Sequence, residues 1–315
     1  MVPDTSFSTQ CPCGMTFYGA YEPAKVLYAC TLCGYCDDLC QRSIRYTPAI
    51  AIIEELRRLV PDELKPKGIK KAADTARVPE KHKLAVLKQF GIHDVSKDSK
   101  TDTLFFPDNS LLSNAPKLKE IGYVLQQNAR KTGCFIGDPL PPVSAALING
   151  GCQEELKTCI SKIDKKLSEH GIKRVIVYNP ESLRLYAEML KRKKAKKIKL
   201  PAVTYQDPCH LGRYAKEYAA PRQVISSLGL DLKEMWRSHE NSLCCGAGGG
   251  VLENNPVLAG TYAAHRLREA KATGAKVMIT ACPYCYTNLT RNKPKGFKVT
   301  DITTLVAQAY GYKRG

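Results

Sequence analysis

The stretch KVMITACPYC, residues 276–285, carries the reading that decides the fold. Its apolar and β-branched run to Thr280 has the character of a buried strand. Cys282 follows two residues later, Pro283 is suited to the first turn of a helix, and Cys285 falls inside that turn. AVTYQDPCHLGRY, residues 202–214, repeats the arrangement, with a strand, a turn and then Cys209. Working outward, further apolar runs stand at Thr103–Phe106 and Arg174–Tyr178, and helical stretches such as Leu183–Lys194 and Pro256–Ala272 separate the runs. Alternation of this kind implies parallel βαβ units, so the expected fold class is α/β.

The strand ends also expose an internal repeat. Phe105-Phe106-Pro107-Asp108 aligns with Gln206-Asp207-Pro208-Cys209 at an offset of 101 residues, and Ile176–Ser182 aligns with Ile279–Cys285 at 103. Between them, Gly133-Cys134-Phe135 stands less closely in the place of Cys244-Cys245-Gly246. The expected layout is therefore two pseudo-repeated parallel-sheet halves, 101–198 and 199–315. Ahead of them lie a cysteine-dense segment, 1–60, ending in the amphipathic stretch Pro48–Val60, and a lysine-rich connector, 61–100, with a short helix at Glu80–Phe90.

Composition narrows the setting. Among 315 residues, 43% are hydrophobic and 25% charged, ordinary values for a globular chain, but there are fourteen cysteines. Pro3, Asp4 and Gln10 interrupt any signal-peptide pattern, which argues for a reducing cytoplasm and against a disulfide framework. No uncharged apolar run reaches the about 20 residues that span a bilayer, so membrane association is expected only through a partner. The net charge is +18, concentrated in KRKKAKKIK at Lys191–Lys199. That run reads either as a solvated helix end or as a docking surface for an acidic protein or anionic membrane. No aromatic residues interleave with it, so nucleic acid is not an expected partner.

Cys30, Cys33, Cys36 and Cys40 form C-x2-C-x2-C-x3-C, the spacing with which bacterial-type ferredoxins wrap a cubane cluster. Zinc sites more often use two pairs separated by a longer loop. A [4Fe–4S] cluster is thus expected here, making 1–60 a small α-helical ferredoxin-like domain. Its fourth ligand is Cys40, with Cys11 or Cys13 as alternatives, because Gln41 stands where such runs carry proline.

Five more cysteines lie in the last third: Cys209, Cys244, Cys245, Cys282 and Cys285. Cys209 and Cys282 follow parallel strands, at the carboxyl ends where open α/β sheets place ligands. Gly246, Gly248, Gly249 and Gly250 would let backbone N–H groups approach sulfur. Five thiolates are one too many for tetrahedral zinc, which favours a polynuclear iron–sulfur centre; a redox dithiol at Cys282 and Cys285 would leave three cysteines unexplained. His210 and His239 are candidate proton donors, although packing or capping suits both better. Cys152 and Cys159 fit no motif and read as structural.

DPCHLGRY (207–214), SLCCGAGGG (242–250) and TACPYC (280–285) resemble the CCG, or cysteine-rich, domain of heterodisulfide reductase catalytic subunits and their relatives. The resemblance implies a noncubane [4Fe–4S] cluster on all five cysteines, where a small-molecule disulfide is reduced, or a thiol oxidised, in one-electron steps. It implies partner redox subunits carrying flavin, iron–sulfur or membrane quinol sites. Asp108, Asn179 and Ser182 stand where a complete first repeat would have cysteines, and only Cys134 remains of its central pair. That half is expected to bind no cluster and to form one wall of a cleft through residues 107–109, 133–140 and 179–182. A rival reading from the same relatives is an electron-transfer subunit for a flavin-dependent hydroxy-acid or glycerol-3-phosphate dehydrogenase.

Overall fold

A computed structural model describes residues 26–39, 49–76, 81–97, 101–107, 109–112, 114–128, 132–141, 145–178, 181–192 and 195–313. Two all-parallel sheets organise it. The first contains β1 (His93–Asp94), β2 (Thr103–Phe106), β3 (Gly133–Cys134) and β4 (Arg174–Val177) in the order β1-β3-β2-β4; the second contains β5 (Val203–Gln206), β6 (Val277–Thr280) and β7 (Lys298–Asp301) in the order β5-β6-β7. All four residues of β5 and of β6 are buried, as befits parallel strands covered on both faces. The helices used below are α1 (Tyr35–Leu39), α2 (Ala49–Leu59), α3 (Lys67–Ala76), α4 (Ala115–Gln126), α5 (Gln153–Glu169), α6 (Glu181–Arg192), α7 (Ala219–Ser227), α8 (Pro256–Ala272), α9 (Pro283–Asn292) and α10 (Ile302–Ala309).

The α/β class and the four expected strands are present. Each sheet contains a parallel pair, β2 with β4 and β5 with β6, but the ladders set Phe105 opposite Ile176 and Tyr205 opposite Ile279. The repeat alignment equates Phe105 with Gln206, one residue away from that pairing. Strands buried on both faces carry no polar alternation to mark their register, so a short alignment does not fix it.

The halves share a core. Leu183 and Tyr186 of α6 and Val124 of α4 pack with Val203 and Tyr205 of β5, Ile279 of β6, Val224 and Ile225 of α7, and Leu305 of α10. A buried polar network crosses the same boundary: Lys117 donates to Glu120 at 2.8 Å and to Asp301 at 3.1 Å, and Tyr178 donates to Asp301 at 3.1 Å. Asp301 also caps α10 by accepting from the Thr303 amide.

The lysine-rich connector is more than a linker. Its expected helix appears as Lys81–Leu84 followed by a 3₁₀ turn, Ala85–Phe90, closed by Gly91 at φ +72°. Ile69 of α3, Leu84 and Leu87 are buried, so the apolar residues among the lysines anchor this segment.

Candidate metal centre

Each C-terminal cysteine is delivered by an element of the second half. Cys209 precedes a π-turn, His210–Tyr214, just beyond the end of β5. The strand end is held by buried Asp207, whose carboxylate receives two hydrogen bonds from Arg222, at 2.8 and 3.0 Å, and one from the His239 amide at 2.9 Å. Cys282 is the N-cap residue of α9, with Pro283 at the first helical position and buried Cys285 in the first turn. Both sulfurs therefore lie at the positive end of a ten-residue helix.

The adjacent pair is fixed by side chains on α8 and α9. Asn288 donates to the carbonyls of Cys245 and Ala259 at 2.7 and 2.9 Å. Fully buried Arg266 donates to Ser242 Oγ at 3.0 Å and to the Arg237 carbonyl at 2.7 Å, and Gln206 donates to the Leu243 carbonyl at 3.2 Å. The Gly246 amide donates to Cys244 Sγ at 3.2 Å, the backbone approach expected of the glycine run. Gly246 adopts φ +85°, where an added Cβ would lie 2.6 Å from the Ala259 carbonyl oxygen.

The sulfurs are linked pairwise. Hydrogen bonds from Cys244 and then Cys285 hold Cys245 below the usual thiol range. Cys244 is pushed up to about 12 by its bond to Cys245, and Cys285 is pushed up by its bonds to Cys245 and Cys282. Burial raises Cys209 well above an ordinary thiol. Holding all five sulfurs as thiolates would concentrate negative charge in a buried site, which bound metal cations would offset. A polynuclear cluster, which offers separate irons to separate thiolates, suits this donor set.

The N-terminal run lies against the same site. Cys30, Cys33 and Cys36 are half-buried, and Leu32 at φ +51° and Gly34 at φ +70° turn the chain between them. Cys40 and its alternatives, Cys11 and Cys13, lie outside the described residues. Cys33 does not stay with its own run alone: the neighbouring Cys244, with burial, raises its thiol well above the ordinary range. Thr31 Oγ1 lies 3.4 Å from Cys244 Sγ.

Three side chains clamp this loop to the second half. Arg57, fully buried on α2, donates to the Cys30 carbonyl at 2.8 Å, to Leu27 at 2.7 Å and to Gly249 at 2.9 Å, with its guanidinium 4.8 Å from the Tyr28 ring centre. Arg213 donates to the Cys33 carbonyl at 3.3 Å and to the Glu240 and Ser242 carbonyls. Tyr214 donates to the Leu32 carbonyl at 2.8 Å. The motif reading missed Arg57, Arg213, Tyr214 and Thr31. A signal existed for the first, since Ile50, Ile53 and Arg57 share the buried stripe of α2.

The remaining candidates are structural in this geometry. His210 stacks on Tyr214 with ring centres 5.1 Å apart, and His239 packs against Tyr218. Cys134 is buried in β3, where burial pushes its thiol up. Cys152 packs beside Ala73 and Leu147, and both it and Cys159 are half-buried. A cavity of about 300 Å³ opens between the halves, lined by Leu111, Asn114, Lys117 and Tyr178 on one side and by residues including Leu252, Pro283, Tyr284 and Arg291 on the other. On the first-half side the lining comes from Leu111, from Asn114 and Lys117 at the start of α4, and from Tyr178 after β4; of the loops expected to form a cleft wall, Asp108, Asn179 and Pro180 lie outside the described residues.

Residues 203–290 match the CCG family, described as the cysteine-rich domain. The chain is 30% identical to a subunit of the dihydromethanophenazine:CoB–CoM heterodisulfide reductase of Methanosarcina mazei over 326 aligned positions, covering 90% of this chain and 78% of that protein. It is 43% identical to the corresponding subunit from Methanosarcina barkeri over 113 residues, 35% of this chain and 28% of that one. One subunit of the fumarate reductase (CoM/CoB) of Methanothermobacter marburgensis is 33% identical over 113 residues, 34% of this chain and 22% of that protein. The last two matches thus span less than a third of the relatives' length.

Proposed function

This chain belongs to the family of heterodisulfide reductase subunits that carry the cysteine-rich domain, iron–sulfur components of oxidoreductases, and from that premise we propose that it passes electrons between two iron–sulfur centres. One would be a [4Fe–4S] cluster on Cys30, Cys33, Cys36 and Cys40, with Cys11 or Cys13 as alternative fourth ligands. The other would be a noncubane [4Fe–4S] cluster on Cys209, Cys244, Cys245, Cys282 and Cys285, at which a small-molecule disulfide is reduced or a thiol oxidised. The observation that carries the reading is the seating of the Cys30–Cys36 loop against the Cys244–Cys245 turn, where Thr31 Oγ1 lies 3.4 Å from Cys244 Sγ and Arg213 joins the Cys33 and Ser242 carbonyls.

When bound, such clusters supply one-electron chemistry, the second of them at sulfur. The protein's part is to hold and insulate. Arg57, Arg213 and Tyr214 keep the N-terminal loop seated through backbone carbonyls. Asn288 and Arg266 fix the Cys244–Cys245 turn, and the Gly246 amide with the start of α9 stabilises negative sulfur. In this reading residues 1–60 form the ferredoxin-like domain and 61–100 a packed connector. Residues 101–198 form a degenerate repeat that walls the cleft, and 199–315 the complete one.

The partner would be a redox protein carrying flavin, iron–sulfur or quinol chemistry. No helix among the described residues is long and apolar enough to cross a membrane, so a membrane route would run through that partner. Anaerobic isolation of the native complex tests the proposal, with iron and sulfide analysis and addition of a disulfide to the reduced protein. About eight irons per chain are expected on two four-iron clusters, and disulfide should reoxidise the reduced signals. Full iron content without disulfide-driven reoxidation, together with a flavin hydroxy-acid or glycerol-3-phosphate dehydrogenase as co-purifying partner, would establish the electron-transfer alternative instead.

A further inference from the structure

We propose that Thr31 is a positioning residue for electron transfer, its hydroxyl reaching from the N-terminal cysteine loop to the Cys244 sulfur and setting the potential at which electrons reach the C-terminal set. The inference rests on the reading that both sets carry iron–sulfur clusters. Thr31 is buried, 6% exposed, and although it stands in the N-terminal cysteine run its Oγ1 is 3.4 Å from Cys244 Sγ of the C-terminal set. The neighbouring hydroxyls are engaged elsewhere, Tyr214 with the Leu32 carbonyl and Ser242 with Arg266.

The backbone that carries this hydroxyl is held on both sides. Arg57 fixes the Cys30 carbonyl and Tyr214 the Leu32 carbonyl. The glycine run lies directly against Thr31, so that a Cβ at Gly248 would stand 2.6 Å from its carbonyl oxygen. Metal-bound cysteines carry no proton, so the sulfurs could only accept, and the hydroxyl would have one hydrogen to offer. With a cluster bound, the hydroxyl would donate to the Cys244 sulfur, and no O–H bond would break and no proton would be transferred on reduction. A hydrogen bond to sulfur favours the reduced form and raises its potential.

The test compares wild type with Thr31→Val, Thr31→Ala and Thr31→Ser in the full chain, reconstituted anaerobically. Iron and sulfide are assayed, and midpoint potentials are read from absorption and low-temperature paramagnetic spectra during a redox titration. Valine and alanine are expected to keep the iron content and to disfavour reduction by about tenfold, equivalent to about 59 mV for a one-electron couple, while serine restores the wild-type potentials. Alanine reads the loss of the hydroxyl even where valine disturbs packing. Unmoved potentials in both hydroxyl-free variants at full iron content would overturn the inference, as would a serine variant shifted as far as alanine. A wild-type chain that takes up no iron would instead overturn the two-cluster reading and this inference with it.

Discussion

The guanidinium of Arg57 donates to the Gly249 carbonyl at 2.9 Å, joining positions 192 residues apart. The same group holds the Cys30 and Leu27 carbonyls, so one buried side chain fastens the N-terminal cysteine loop to the glycine run beside Cys244 and Cys245. Among the described residues no carboxylate forms an ion pair with it. Its charge is solvated by carbonyl dipoles and a tyrosine face, and burial lowers its pKa.

Replacing Arg57 with methionine should therefore leave buried carbonyls without donors and cost about 3 kcal/mol. Anaerobic thermal unfolding of the iron-loaded chain measures this. Arg57→Lys should recover only part of the loss, because an ammonium on a flexible stem lacks the planar fork that reaches three carbonyls.

Gly249→Ala should be more damaging than the same change at Gly274. Both glycines are left-handed, at φ +61° and +79°, but a Cβ at 249 would lie 2.2 Å from the Cys30 carbonyl oxygen, whereas none of the surrounding atoms lies within 4 Å at 274. The Gly274 variant should lose about 1 kcal/mol, the cost of a left-handed alanine. The Gly249 variant should lose clearly more and become faster to lose its N-terminal cluster in air, followed by bleaching of visible absorption.

Cys36→Ser and Cys33→Ser should differ. Serine is a hard, poor ligand for iron in this setting, so both changes ought to remove the cubane signal. Cys33 lies where Cys244 raises its thiol, so its replacement should also shift the spectrum of the C-terminal centre. Identical spectra from the two variants would show that Cys33 does not couple the sites.

The basic run is pinned at its far end rather than free. The Lys196 amide donates to the Ala309 carbonyl, the Ile198 amide to that of Leu228, and Lys197 Nζ to the Ser227 carbonyl at 3.0 Å. Exposed Lys196 and Lys199 are thus carried on a fixed surface. Changing both to glutamate should slow association with an acidic redox partner without altering stability. The wild-type association rate should fall as salt rises between about 50 and 300 mM, where screening of exposed charge becomes strong. A salt-independent rate would return the run to a solvated surface.

The sequence by itself determined the class of the fold and picked out the cysteines proposed as sulfur donors. Strand–turn–cysteine–helix units are local: Val277–Thr280, Pro283 and Cys285 specify a strand end and a helix start through conformational preferences that act over a few residues. The register of the paired strands and the sharing of one core by both halves were not legible in that way. Neither was the conversion of a lysine-rich connector into a packed segment, since Ile69 and Leu87 reveal their burial only once neighbours cover them. Tertiary structure alone decided that the N-terminal cysteine loop meets the Cys244–Cys245 turn and that Thr31 lies against Cys244. The physical reason is that the contact depends on close backbone approach at Gly248 and Gly249 and on carbonyl clamps by Arg57, Arg213 and Tyr214. Interactions across roughly two hundred residues leave no periodicity or spacing in the chain that makes them.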